Sequence, residues 1–213
     1  MSAAVVLVHG LWMRGPDMLL LRYRLRRCDF VTYQFSYPTT RCTVEEAAQL
    51  LQRFIAKLPE TTLHFVAHSL GGLVVQRLFT RHPAQRPGRV VTLGTPYQGC
   101  IAARRLADFR AGRFLLGNSF QHGLADQSRH WTAPQALGVI AGDLSIGGGR
   151  LLGGLTSAND GTVAVEETVV PGPHKRLVLP VAHFAMLLAP GVARQVGEFL
   201  REGRFKHEPG LSP

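Results

Sequence analysis

Thr62-Leu-His-Phe-Val-Ala-His-Ser-Leu-Gly-Gly-Leu-Val-Val-Gln76 runs from a β-branched and aromatic stretch, through Ala67-His68-Ser69-Leu70-Gly71, straight into a helical pattern. A strand that turns into a helix on a serine, with small residues two before and two after, is a nucleophile elbow. Here Ala67 fills the first small position and Gly71 the second. The turn is sharp and strained, so these neighbours must clear each other, and the serine hydroxyl is lifted above the sheet. A helix opening at Leu70 aims its positive end at a developing oxyanion. The five-residue pattern alone arises by chance in roughly one chain in five of this size. The strand before it and the helix after it make it specific.

Outward from this stretch, short β-branched or aromatic runs mark strands at 4–8, 30–35, 62–67, 89–93, 137–141 and 176–180, with a weaker seventh at 166–170. Helical patterns fall between many of them, at 16–27, 43–58, 70–81 and 192–201. The first has Pro16 near its start, a good first-turn residue. The second opens Thr43-Val-Glu-Glu46, a capping-box pattern, and its apolar residues form one stripe. Strand–helix alternation argues an α/β fold with a mostly parallel central sheet and helices on both faces. Residues 96–135 break the rhythm. They contain a helical piece at 101–109 and then an expected loop with scattered apolar side chains, a length that suits a small cap segment over a site. Residues 143–159 are glycine-rich and read as a mobile loop, and 204–213 as a flexible tail.

A serine needs a base. His183 follows the last strong strand and precedes the last helix, where a base that comes after the nucleophile in chain order belongs. His9, His64 and His68 precede Ser69; His82, His122 and His130 precede any suitable acid loop; His174 lies at a turn and His207 in the tail. The acid belongs between Ser69 and His183. Asp160, in Ser157-Ala-Asn-Asp-Gly-Thr-Val163, is the first choice, with Asp143, Glu166 and Glu167 as rivals. Its carboxylate would accept Nδ1–H of His183 and fix the tautomer. Two backbone donors would hold the oxyanion: Leu70 N–H, after the nucleophile, and Leu11 N–H, in the turn Val8-His-Gly-Leu-Trp12. His9 would hold that turn. Trp12, beside the donor, is a candidate substrate-binding residue, and Leu115, Leu116, Phe120, Trp131, Phe184 and Met186 are further candidates for an apolar acyl pocket.

VVLVHGLW, AHSLGG, LGTPYQG, NDGTV and AHFAML stand in the order seen in the α/β-hydrolase superfamily, and most resemble its small bacterial lipase and esterase members. The resemblance runs from Val5 to about Leu200. It implies an α/β-hydrolase fold in a single domain over 1–213. It also implies Ser69 as nucleophile, Asp160 as acid, His183 as base, Leu11 and Leu70 as donors, and Gly94-Thr95-Pro96 as the close of the strand beside the site. The implied activity is hydrolysis of a small-molecule ester or lipid without metal or organic cofactor. An acyltransferase, thioesterase or lipid deacylase working at a membrane with the same triad is the alternative. Ala67 departs from the usual first glycine.

The 213 residues suit one domain, long enough to bury roughly 70% of its unfolded surface without staples. At 46% hydrophobic and 18% charged the chain is not disordered, and no apolar run reaches the ~18 residues of a membrane span. Cys28, Cys42 and Cys100 have no metal-ligand or framework spacing. The short apolar N-terminus reads as a first strand rather than a secretion signal, which leads to the expectation of a cytoplasmic protein. The net charge of +10 comes almost wholly from arginine, densest at Arg22-Tyr-Arg-Leu-Arg-Arg27 and again at Arg104, Arg105, Arg110 and Arg113. No nucleic-acid-binding motif accompanies these patches, so nucleic acid is not an expected partner. Solvated helix faces or peripheral membrane contact are.

Overall fold

The structure, a computed structural model, describes residues 3–125, 129–147 and 156–206. Six strands form one all-parallel sheet: β1 (Ala3–Val8), β2 (Val31–Phe35), β3 (Thr62–His68), β4 (Arg89–Leu93), β5 (Ala136–Gly142) and β6 (Lys175–Leu179), in the order β2-β1-β3-β4-β5-β6. The chain leaves β1 toward one edge and then crosses to its other side at β3. That reversal opens a crevice at the carboxyl ends of β1 and β3, the place where open α/β sheets hold ligands. Register brings the strand ends level, pairing Val8 with Ala67 and His68 with Leu93.

Both faces of the sheet are buried. On β1, Ala4, Val6 and Val8 pack on one side, against helices α2 (Val44–Ile55) and α3 (Leu70–Arg81). Val5 and Leu7 pack on the other, against α1 (Leu19–Arg26) and α6 (Pro190–Glu202). This explains why β1 reads as an unbroken apolar run and β3 as one interrupted inside only by His64. The capping box at the start of α2 is formed: Glu46 N–H donates to Thr43 Oγ1 and Thr43 N–H to Glu46 Oε2. The first helical pattern is split, with a 3₁₀ turn at Gly15–Met18 leading into α1.

Two sequence expectations are corrected. Glu166–Thr168 is a 3₁₀ turn, not a strand. The Glu167 carboxylate is turned inward and accepts the N–H groups of Ala164 and Ile101, which a strand at that place would not allow. The stretch after residue 109 is not loop: α4 (Ile101–Ala107) is followed by α5 (Arg110–Leu116) and a π-helical turn at Phe120–Leu124. Gly112 concealed α5 from a reading by propensity. A Cβ there would lie 1.8 Å from the Leu106 carbonyl, so glycine is what lets α5 fold back on α4. The chain past Arg204 is pinned at first, since Gln195 bonds both the carbonyl and the N–H of Lys206, and the Phe205 ring lies 4.8 Å from that of Phe199. Residues 207–213 and 148–155, the rest of the expected tail and much of the glycine-rich loop, lie outside the described residues. No helix among the described residues is long and apolar enough to cross a membrane.

Candidate active site

Ser69 joins β3 to α3 with φ +51° and ψ −123°, a left-handed conformation that a serine rarely adopts. Neighbouring strands hold it there. Ser69 N–H donates to the Leu93 carbonyl, and the Ser69 carbonyl accepts from Thr95 Oγ1. A Cβ on Gly71 would lie 2.4 Å from the Val8 carbonyl, so the elbow fits against β1 only with glycine there.

The turn after β1 comes close to the serine: a Cβ on Gly10 would lie 3.1 Å from that of Ser69. His9 holds this turn. Its Nδ1–H donates to the Gly10 carbonyl, its ring stacks on Tyr37 at 4.7 Å, and Tyr37 OH donates to the His9 carbonyl. Beyond Gly10, Trp12 takes φ +59° and donates its N–H to Thr39 Oγ1. Its indole Nε1–H reaches the Leu115 carbonyl at 2.8 Å, tying the turn to α5. The N–H groups of Leu11 and Leu70 donate to no group among the described residues.

Asp160 and His183 lie together, both buried, with Nδ1–H of His183 donating to Asp160 Oδ2 at 2.7 Å. Asp160 Oδ1 accepts the N–H groups of Thr162 and Val163, and its carbonyl accepts His183 N–H. The carboxylate thus builds its own turn and orients the imidazole at once. Gly94, at φ +56°, lies against the pair: a Cβ there would come 2.9 Å from His183 Nδ1 and 3.0 Å from Asp160 Oδ2. Among the rivals for the acid, Asp143 is exposed, and Glu167 is committed to the two N–H groups already described. Ser69 Oγ has no hydrogen-bond partner among the described residues. It and His183 border the same cavity.

That cavity has a volume of about 380 Å³ and is almost wholly apolar. Ser69, His68 and His183 lie at its polar end, with Leu11, Trp12 and Phe184 beside them. The excursion between β4 and β5 supplies the far wall through Cys100, Ala102, Ala103, Leu106, Leu116 and Leu124. Of the other pocket residues expected from sequence, Leu115, Phe120, Trp131 and Met186 do not line it. Trp131 packs on Phe79 at 5.3 Å, and Met186 belongs to the core on the α6 side. Burial pushes the Cys100 thiol up to about 12, helped by the Glu167 carboxylate, so it stays neutral and serves as wall.

Sequence reasoning passed over His68 because it precedes the nucleophile. The structure gives it a place behind His183: His68 Nε2–H donates to the His183 carbonyl at 3.0 Å, and the two rings lie 4.6 Å apart. Burial, then the neighbouring His183, holds His68 well below the usual histidine range, so it sets no charge against His183. The adjacent imidazole in AHS was the available signal.

A parallel sheet with a strained serine elbow at its crevice, and an Asp–His pair on the loops after later strands, defines an α/β hydrolase. Residues 5–204 match the alpha/beta hydrolase family, and the chain belongs to it. Among solved structures it is similar to the lipase BlEst2 of Bacillus licheniformis in mature form, at 20% identity and a TM-score of 0.69, covering 86% of each chain. The propeptide form of that lipase aligns with 99% of this chain, which spans 53% of that longer one, at a TM-score of 0.77. The carboxylesterase CesB of Bacillus subtilis is similar at 13% identity and a TM-score of 0.61, over 95% of this chain and 84% of that one. At these identities the likeness is one of fold. No curated protein matches the sequence.

Proposed function

We propose that this protein is a serine hydrolase of carboxylic esters. The observation that carries the reading is the buried His183–Asp160 pair together with a left-handed Ser69, with Ser69 and His183 both lining one apolar cavity. Ser69 Oγ attacks the ester carbonyl carbon as His183 Nε2 takes its proton. Asp160 stabilises the imidazolium and keeps the ring in place. The oxyanion is held by Leu11 and Leu70 N–H, which have no other work among the described residues. Collapse of the tetrahedral intermediate breaks the ester C–O bond, and His183 returns the proton to the leaving alcohol. Water, deprotonated by His183, then attacks the acyl carbon, and the carboxylic acid leaves with Ser69 restored. Trp12 and the wall from Cys100 to Leu124 would hold an acyl chain of intermediate length. The lipase and esterase character of the similar structures agrees with this reading.

The test is a series of p-nitrophenyl esters from acetate to palmitate. Rates should peak between the two ends, and folded Ser69→Ala protein should lose on the order of 10⁴-fold or more in kcat. Near-normal turnover by folded Ser69→Ala would overturn the assignment. Ser69-dependent release of p-nitrophenol that appears only with an added alcohol or thiol would favour the transferase alternative, in which the same acyl-enzyme meets a different acceptor.

A further inference from the structure

Helix α1 has one face too many. Leu21 and Leu25 pack into the core below it. The opposite side should be polar, yet Leu19, Leu20 and Tyr23 are 52%, 39% and 55% exposed there. They are interleaved with Arg24, Arg26 and Arg27, and no acidic residue occurs in Leu19–Arg26. Arg27 donates to Tyr23 OH and lies over its ring. None of these three arginines pairs with a carboxylate among the described residues.

The face continues to the mouth of the cavity. Arg24 donates to the Leu188 carbonyl, and Leu188 and Phe184 are both exposed. Together with Trp12 they border a second depression of about 310 Å³, and Trp12 and Phe184 also line the main cavity. Asp17 borders this depression and Asp29 one beside α1, and the Asp17 carboxylate is occupied by Arg14 N–H. The result is a strip of exposed apolar and aromatic side chains set among arginines, joined through Arg24 and Leu188 to the residues at the cavity that holds Ser69.

We propose that this strip docks on an anionic lipid surface and presents the cavity mouth to esters held in a bilayer. Guanidinium groups meet lipid phosphates, Tyr23 and Trp12 sit at headgroup depth, and the leucines reach the acyl boundary. An acidic protein or a nucleic acid would account for the arginines but not for the leucines between them. The bilayer as source of the ester rests on the hydrolase reading above; the docking itself does not.

Co-sedimentation of the full chain with phosphatidylglycerol–phosphatidylcholine vesicles, against phosphatidylcholine alone, tests this. Binding to the anionic vesicles should be about tenfold stronger at about 0.05 M salt, and most of it should be lost at about 0.5 M. Arg26→Glu with Arg27→Glu should lower it about tenfold, and Leu19→Ser with Leu20→Ser several-fold. Circular dichroism melts check that both proteins fold, and p-nitrophenyl acetate turnover should match that of the unmodified protein. The salt arm needs no substitution. Absence of anionic preference overturns the proposal. So does full binding by the arginine variant, or full binding by the leucine variant, which would mark simple charge adsorption and an acidic partner. Docking without Ser69-dependent ester turnover would sink the hydrolase reading alone.

Discussion

Both oxygens of Asp160 are occupied: one by the N–H groups of its own turn, the other by His183 Nδ1–H. An asparagine must set its NH₂ against one of these sets of donors. If it faces the imidazole, the ring is pushed to the wrong tautomer and Nε2 loses its lone pair. Asp160→Asn should therefore cost on the order of 10⁴-fold in kcat. Asp143→Asn, at an exposed side chain, should change kcat by less than about twofold. Steady-state kinetics on a short-chain ester checks the ranking, and the reverse order would move the acid to the end of β5. Asp160 and His183 were legible because their places in the chain follow from the elbow. His68 was not, since its hydrogen bond to the His183 carbonyl spans 115 residues and leaves no local pattern. Gly94 was expected only to close its strand. That its missing side chain makes room for the Asp–His pair becomes visible only in three dimensions.

At the scale of elements, sequence periodicity did best where packing is one-sided and regular. α3 runs from Leu70 to Arg81 as its pattern requires, and the α2 stripe and cap are as expected. It failed between β4 and β5, where short helices are set by contacts with each other and a glycine sits in the contact. The contact yields a prediction. Gly112→Ala places a methyl group against the Leu106 carbonyl, so α5 must move off α4. Propensity alone would favour alanine by up to about 1 kcal/mol. The clash should reverse the sign and destabilise the protein by about 1–3 kcal/mol, read as a lowered urea midpoint. Because Leu116 lines the cavity and Trp12 is tied to Leu115, activity on longer acyl esters should fall further than activity on acetate. A gain in stability would show that the α4–α5 contact is not as tight as described.

Among the described residues, burial lowers three histidines from their ordinary range: His9, His64 and His68. Burial, then the nearby Arg89, lowers His64 to about 4; its Nδ1 accepts the N–H of Arg89, so protonation would break a link between β3 and β4. Burial also lowers His9 and His68. With the folded value below the unfolded one, the unfolded chain takes up protons first as pH falls. The stability these groups carry is whole above about pH 6.5 and declines below it; for His64 the loss runs toward pH 4 and is on the order of 3 kcal/mol. Glu167, raised by burial, works in the opposite direction at the acidic end. The urea midpoint should fall from pH 7 to pH 5, and His64→Gln, which keeps an acceptor, should flatten the slope. A midpoint that is constant or rises would contradict this.

The all-parallel sheet and its helices on both faces were legible because alternating strands and helices admit few topologies once crossovers are right-handed. The same architecture puts Ser69, Leu11 and His183 at one end of the sheet from three distant parts of the chain. Their joint role is tested most directly by covalent trapping. A p-nitrophenyl alkylphosphonate should add once per chain, and peptide mass spectrometry should find the adduct on Ser69. Labelling should be absent in Ser69→Ala and slowed by orders of magnitude in His183→Ala. An adduct on another residue, or an inert Ser69 in folded protein, would contradict the account.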